Sequence, residues 1–378
     1  MPQDLRQLTS LRFFAAMWVV GYDYWPQLAT TTPAIVTKGY LGVELFFVLS
    51  GFILSHVYLD AFGERRASYR GFLWARLARI YPLHLAILLA LILLVLGCGA
   101  IGWRLGGKLA VWSSIPGQLL LLQAWGATPD GGWNHPAWSI SAEWLAYLTF
   151  PAFAWVFWRL RRRLVLALAL AVLLVIGLNV GFAALAGQAL THQTIAWGGL
   201  RIVPCFFFGG VVYLMWRAAP AGRNAALMGL LGAVLTVIGL AAAGAPDWSF
   251  TLAFGGLIYA LASLASSRSR LLAGAVGVYL GEVSYAIYMV CIPWHLVFEV
   301  FARRVAHWQG ELMSPLLWIC LAAGVLPAAM VAHHLVERPA RRVLRTFGPS
   351  LSRASFAAGK PDDSWRAPND PNVQPSDL

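Results

Sequence analysis

Eleven apolar runs, all but one 17 to 26 residues long, fill most of this chain, and they decide what it can fold into. They span 9–27, 40–58, 80–99, 114–126, 138–158, 164–185, 196–216, 226–245, 250–266, 274–299 and 313–335. A helix needs about 20 apolar residues to cross the hydrocarbon of a bilayer. A β-barrel would show short segments of alternating polarity instead. Composition agrees: 59% of the 378 residues are hydrophobic and only 12% are charged, where a soluble domain carries roughly 25% charge. The chain is therefore expected to be all-α and polytopic in a membrane.

The net charge of +12 comes from 28 Lys and Arg against 16 Asp and Glu. In a soluble protein that excess points to nucleic acid. Here the basic residues fill short loops: 65–79, 159–163, 217–223, 268–270 and 338–345. That is the pattern of cytoplasmic loops, so no nucleic-acid partner is expected. With all five clusters on one side, the runs 80–99 and 138–158 must face each other on the other side. The short run 114–126, broken by Pro116 and Gly117, cannot cross and must be re-entrant or interfacial. Ten spans result, with both termini cytoplasmic. Arg303 and Arg304 are the exception to the charge rule. The four cysteines (Cys98, Cys205, Cys291, Cys320) lie in apolar stretches without metal spacing, so neither a disulfide framework nor a metal is expected. One membrane domain, 1–345, is followed by a tail, 346–378, too rich in Pro, Asp, Ser and Asn to pack a core.

Ionisable residues inside spans are costly, and each is a functional candidate. Arg12 and Asp23 are eleven residues apart on the first run, so they share a face and lie roughly 16 Å apart along the axis. Arg12 falls near the cytoplasmic surface and Asp23 near the outer one. Glu44, Glu143, His135 and His295 are placed in the outer half by the same topology. Tyr288, Cys291 and His295 follow one another at i, i+3 and i+7 and share a face. Carboxylates in a low-dielectric site, and close carboxylate pairs, are how a base working near neutral pH is prepared. The alternative is a set of separate hydrogen bonds that hold helices together. On the cytoplasmic side, Arg76 and Arg79 lie at i, i+3 and would ring the surface with Arg12 and with Arg268 and Arg270. Arginine suits phosphate through its fork of donors, although Arg268 and Arg270 read better as ordinary loop charge. The chain is thus expected to bind an anion at its inner face and to carry acid–base chemistry at its outer face.

Six segments, in order, resemble acyltransferase family 3, the membrane-bound bacterial glycan O-acyltransferases. They are 8–16 (LTSLRFFAA), 42–51 (GVELFFVLSG), 76–82 (RLARIYP), 138–144 (WSISAEW), 284–288 (SYAIY) and 336–339 (VERP). The resemblance covers about residues 8–340. It implies a ten-helix bundle in the bacterial inner membrane, among membrane lipids. The donor it implies is an acyl-CoA, most often acetyl-CoA, bound from the cytoplasm near Arg12, Arg76 and Arg79. The acceptor is a hydroxyl of a glycan or lipid-linked oligosaccharide, and Glu143 occupies the family's glutamate position. The family's histidine eleven residues after the first arginine is Asp23 here, and a second frequent histidine is replaced by Cys291. Three readings follow. Asp23 is the base, or His295 or His135 serves instead, or the site is disabled at Asp23. Tyr288 or Trp138 would stabilise the oxyanion, and Gly51, Gly209 and Gly210 would thin the helices where the donor's arm passes or simply pack them closely. An acyl relay on Cys291 is a variant. The rival functions are a proton-coupled transporter of an anionic solute and an inactive scaffold in glycan export.

Overall fold

The computed structural model describes residues 5–100, 102, 109–128, 131–267 and 269–348. Arg268 and the expected tail from residue 349 onward lie outside the described residues. All described regular structure is helical. In chain order the helices are α1 (Arg6–Tyr24), α2 (Ala34–Thr37), α3 (Gly42–Gly63), α4 (Tyr69–Ala100), α5 (Ile115–Leu119), α6 (Ala137–Leu148), α7 (Phe150–Leu160), α8 (Leu164–Ala186), α9 (Gly198–Ala218), α10 (Arg223–Ala242), α11 (Asp247–Ser266), α12 (Ala275–Arg304), α13 (Pro315–Ala332) and α14 (Arg338–Phe347).

Eight described helical stretches are long and apolar enough to cross a membrane. Counting α6 and α7 as one span, bent by 59°, makes nine. The bend falls at Thr149, and Pro151 in the first turn of α7 explains it, because proline cannot donate the bond that would continue α6. The tenth expected span is α1. It is 19 residues long, but Arg6, Arg12 and Asp23 make it too polar to be counted with the others. It lies in contact with α12, α3 and α11 instead. The lipid-facing helices carry almost no burial: only Ala167, Ala171 and Val175 of α8 are buried, and only Ala226 and Ala241 of α10.

The short run near 114–126 does not cross. It forms α5 and a series of turns lodged against α6 and α9. Non-helical backbone at membrane depth must have its polar groups satisfied by protein. Ser141 of α6 does this: its hydroxyl accepts from the Ala124 amide (3.0 Å) and donates to the Leu121 carbonyl (2.7 Å). The Trp125 indole donates to the Ser141 carbonyl (3.0 Å), and the Gly199 amide donates to the Ala124 carbonyl (2.8 Å). The second serine of 138–144 thus anchors the wedge that roofs the bundle at that level.

The glycines expected to thin the path of a donor arm serve packing instead. A Cβ on Gly209 would sit 1.9 Å from the Val48 carbonyl oxygen, and one on Gly51 would sit 2.0 Å from that of Phe206. Both neighbours are backbone and cannot rotate away. Close approach of small residues is what binds helices in lipid, where burial supplies no driving force. Gly210 meets the ring of Phe157 in the same way. Gly209→Ala is expected to cost about 1–3 kcal/mol through overpacking, seen as a lower melting temperature of the purified chain. Gly232→Ala, where nothing lies within 4 Å, is the control and should be neutral or slightly stabilising.

Candidate active site

Four helices, α1, α3, α4 and α6, together with α12, enclose a cavity of about 240 Å³. Its polar lining includes Arg12, Arg76, Arg79, Glu143, Ser50, Ser139 and a group of tyrosines, Tyr147, Tyr285 and Tyr288. Val43 and Leu54 mark its extent along α3, eleven residues apart or roughly 16 Å of helix. The cavity is therefore long and narrow. Leu8, Leu54 and Arg76 belong to the end nearest the arginine-rich loops; Val43, Ser139 and Tyr288 belong to the other.

The three arginines do not ring a surface. Arg12 is the seventh residue of α1, and α4 begins at Tyr69, well before its apolar stretch, so Arg76 and Arg79 enter the bundle with it. The Arg76 guanidinium donates to the Tyr58 hydroxyl (3.0 Å) and lies 5.3 Å from that ring's centre. Its Nε is buried without a partner. Glu143 shares this cavity and is its only carboxylate among the lining residues. It accepts from the Ser50 hydroxyl (2.7 Å), and Tyr147, one turn on, is a second partner. Arg12 and Glu143, of opposite charge, line the same space. The expected separation of arginines from carboxylates thus fails for Glu143. It sits in the second turn of a short, bent α6, where it offsets the arginine charge.

Asp23 is half-buried and is not among the cavity-lining residues. Its Oδ2 lies 4.0 Å from the Cys291 Sγ, whose thiol donates to the Tyr288 carbonyl (3.0 Å). Asp23 therefore stands one helical turn of α12 beyond the Tyr288 end of the cavity. Asp23 and Glu143, both expected in the outer half, have different partners. His295 is half-buried, its ring 5.4 Å from that of Tyr24, and it does not line the cavity. The Tyr24 hydroxyl caps the Cys291 carbonyl (2.6 Å). His135 is exposed.

Glu44 leaves the expected acid cluster altogether. It is 1% exposed and bound in a two-pronged pair with Arg201 of α9, 3% exposed, at 2.5 and 3.0 Å. Arg201 also donates to the Gln193 carbonyl (3.0 Å) and stacks 4.6 Å from the Trp138 ring. Trp138 is thereby committed to this stack and is not a lining residue, which leaves Tyr288 as the oxyanion candidate. Reading the sequence missed Arg201. The signal was present, since an arginine three residues into an apolar helix is as costly as Arg12. A second missed pair is His333 with Glu337, buried and 2.8 Å apart in the π-helical turn His333–Glu337 that joins α13 to α14.

The family described as "Acyltransferase domain" matches residues 5–334, which contain every one of these side chains except Glu337. The chain belongs to acyltransferase family 3. Acyltransferase MdmB of Streptomyces mycarofaciens is 31% identical over 90% of this chain and 92% of its own length. Protein 2 in the picA locus of Rhizobium radiobacter is 38% identical over 87 residues, 23% of this chain and 44% of its own length. No solved structure matches. The chain is a polytopic membrane acyltransferase by family, and the cavity between α1, α3, α4, α6 and α12 is its candidate active site.

Proposed function

We propose that the chain moves an acyl group, acetyl in the first instance, from a cytoplasmic acyl-CoA to a hydroxyl of a surface or exported glycan or lipid-linked oligosaccharide. The observation that carries this is the joint presence of Arg12, Arg76, Arg79 and Glu143 on one narrow internal cavity. The arginine-rich loops mark the cytoplasmic side. With that orientation, Arg76 stands at the inner end of the cavity and Tyr288 at the outer end. A pantetheine arm entering from inside would pass Arg12 and Glu143 and bring its thioester to Tyr288 and Ser139. Asp23, one turn further out, takes the proton of the acceptor hydroxyl. That oxygen attacks the thioester carbonyl, and CoA leaves as the thiolate. The Tyr288 hydroxyl is placed to donate to the oxygen on which charge develops. A relay on Cys291 has little support, since its thiol is buried and its proton is directed to the Tyr288 carbonyl.

Release of CoA from acetyl-CoA by the purified chain, with a lipid-linked oligosaccharide present, tests this reading. Arg79→Gln should raise KM for acetyl-CoA by about tenfold, the loss of one charge-assisted hydrogen-bonded contact. Uptake of an anionic solute into proteoliposomes without CoA release would favour the transporter instead.

A further inference from the structure

The cavity is too small for the whole donor proposed above. Sites that enclose a drug-sized ligand run about 300–1,000 Å³, whereas this one is about 240 Å³ and roughly one arm long. An adenosine nucleotide carrying a 5′-diphosphate and a 3′-phosphate must therefore lie outside it, at the arginine-rich mouth. Helix α14 occupies that position. It packs along α4, held by the Trp74 indole, which donates to the Leu344 carbonyl (2.7 Å). The backbone at Gly348 closes against the same indole, where an added Cβ would fall 2.2 Å from the ring.

The side chains that this docking brings together are unusual in charge. Arg79, Arg76 and, one turn along α14, Arg345 are charged neighbours of Arg341, and the carboxylate of Glu337 is another. Glu337 is already engaged by His333. Arg341 is half-buried, and its Nε, like that of Arg76, is buried without a partner. Four neighbouring guanidiniums repel one another, and the repulsion is poorly screened away from water. Their planar forks match phosphate oxygens. Two of them, Arg76 and Arg79, also line the cavity, so a ligand bound by all four would continue directly into it.

We propose that Arg341 and Arg345 of α14 form, with Arg76 and Arg79, a seat for the phosphates of the donor's nucleotide at the mouth of the cavity. This rests on the acyl-CoA reading above. Arg342, the residue after Arg341, points about 100° away from it around α14 and is assigned no part.

The test uses the full chain in nanodiscs and CoA as the binding probe. Arg341→Gln should weaken CoA binding about tenfold or more, Arg345→Gln should weaken it less, and Arg342→Gln should leave it unchanged. Arg341→Lys, which keeps the charge but loses the fork, should recover part of the loss. Transfer from S-acetyl-pantetheine, which lacks the nucleotide, should be equal in the wild type and Arg341→Gln; equal rates also show that the variant is folded. If the wild type binds CoA and the Arg341 and Arg345 variants bind it as well, the α14 seat is wrong while the acyl-CoA reading stands. If the wild type binds no CoA, both fall together. If Arg341→Gln keeps its CoA affinity but loses anionic phospholipid that co-purifies with the wild type, the seated phosphate is a lipid headgroup and the nucleotide assignment is overturned.

Discussion

Asp23→Asn is expected to abolish acyl transfer while leaving CoA binding intact. The substitution keeps the size of the side chain and removes its ability to take a proton. A positioned general base is worth about 10²- to 10⁴-fold in rate, and a loss of that order is the expected result in single-turnover CoA release. Donor affinity should not change, because the arginines of the cavity do not touch Asp23. Asp23 has the Cys291 thiol as a neighbour at 4.0 Å. Asp23→His should be at least as active as the wild type, since an imidazole can take the same proton with a pKa ordinarily near 6.5. The outcomes separate the three readings of this position. A silent wild type beside an active Asp23→His would mean that Asp23 disables the site. An Asp23→Asn variant as fast as the wild type would remove Asp23 from the chemistry. Glu143, the cavity's carboxylate, and His295, beside Tyr24, would then be tested by the same substitution logic.

Arg201→Met is expected to be the most destabilising single change at a charged position. It strands Glu44, which is 1% exposed, without its partner. Removing one member of a buried ion pair costs about 3–5 kcal/mol, because the remaining charge keeps its desolvation penalty. The stacking of the guanidinium on Trp138 is lost as well. The double variant Arg201→Met, Glu44→Gln should recover most of that stability, since replacing both members of such a pair is often near neutral. A double-mutant cycle on melting temperature in detergent measures the coupling. A loss in the double variant equal to the sum of the losses in Arg201→Met and Glu44→Gln would show that the pair is not coupled, and that Arg201 acts through packing alone. Activity in the double variant would show that Glu44 has no part in proton transfer.

The shape of the cavity constrains what can enter it. Its walls admit an arm roughly 16 Å long past Arg12 and Glu143. The charge at its mouth favours a phosphate-bearing carrier for that arm.

Much was legible before any coordinates. Apolar length and the loop arginines fixed the all-α membrane class and the failure of 114–126 to cross, because lipid forces backbone polar groups into helices and charges into loops. Arg12, Arg76, Arg79, Glu143 and Tyr288 were identified as candidates from the sequence, since ionisable and polar groups are costly inside a membrane, and from the order of six short segments. Only the tertiary structure decided which of them share a space. Topology along the membrane normal separates residues by depth, but it is blind to where α4 begins and to the bend between α6 and α7. These two features put Glu143 among the arginines. Depth alone also gathered Glu44 with Asp23, whereas packing of α3 on α9 gave Glu44 to Arg201. A sequence lists the charges that a membrane protein must satisfy; which charge satisfies which is set by the faces that helices turn toward one another, and those are fixed by close contacts such as Gly51 on Phe206 and Gly209 on Val48.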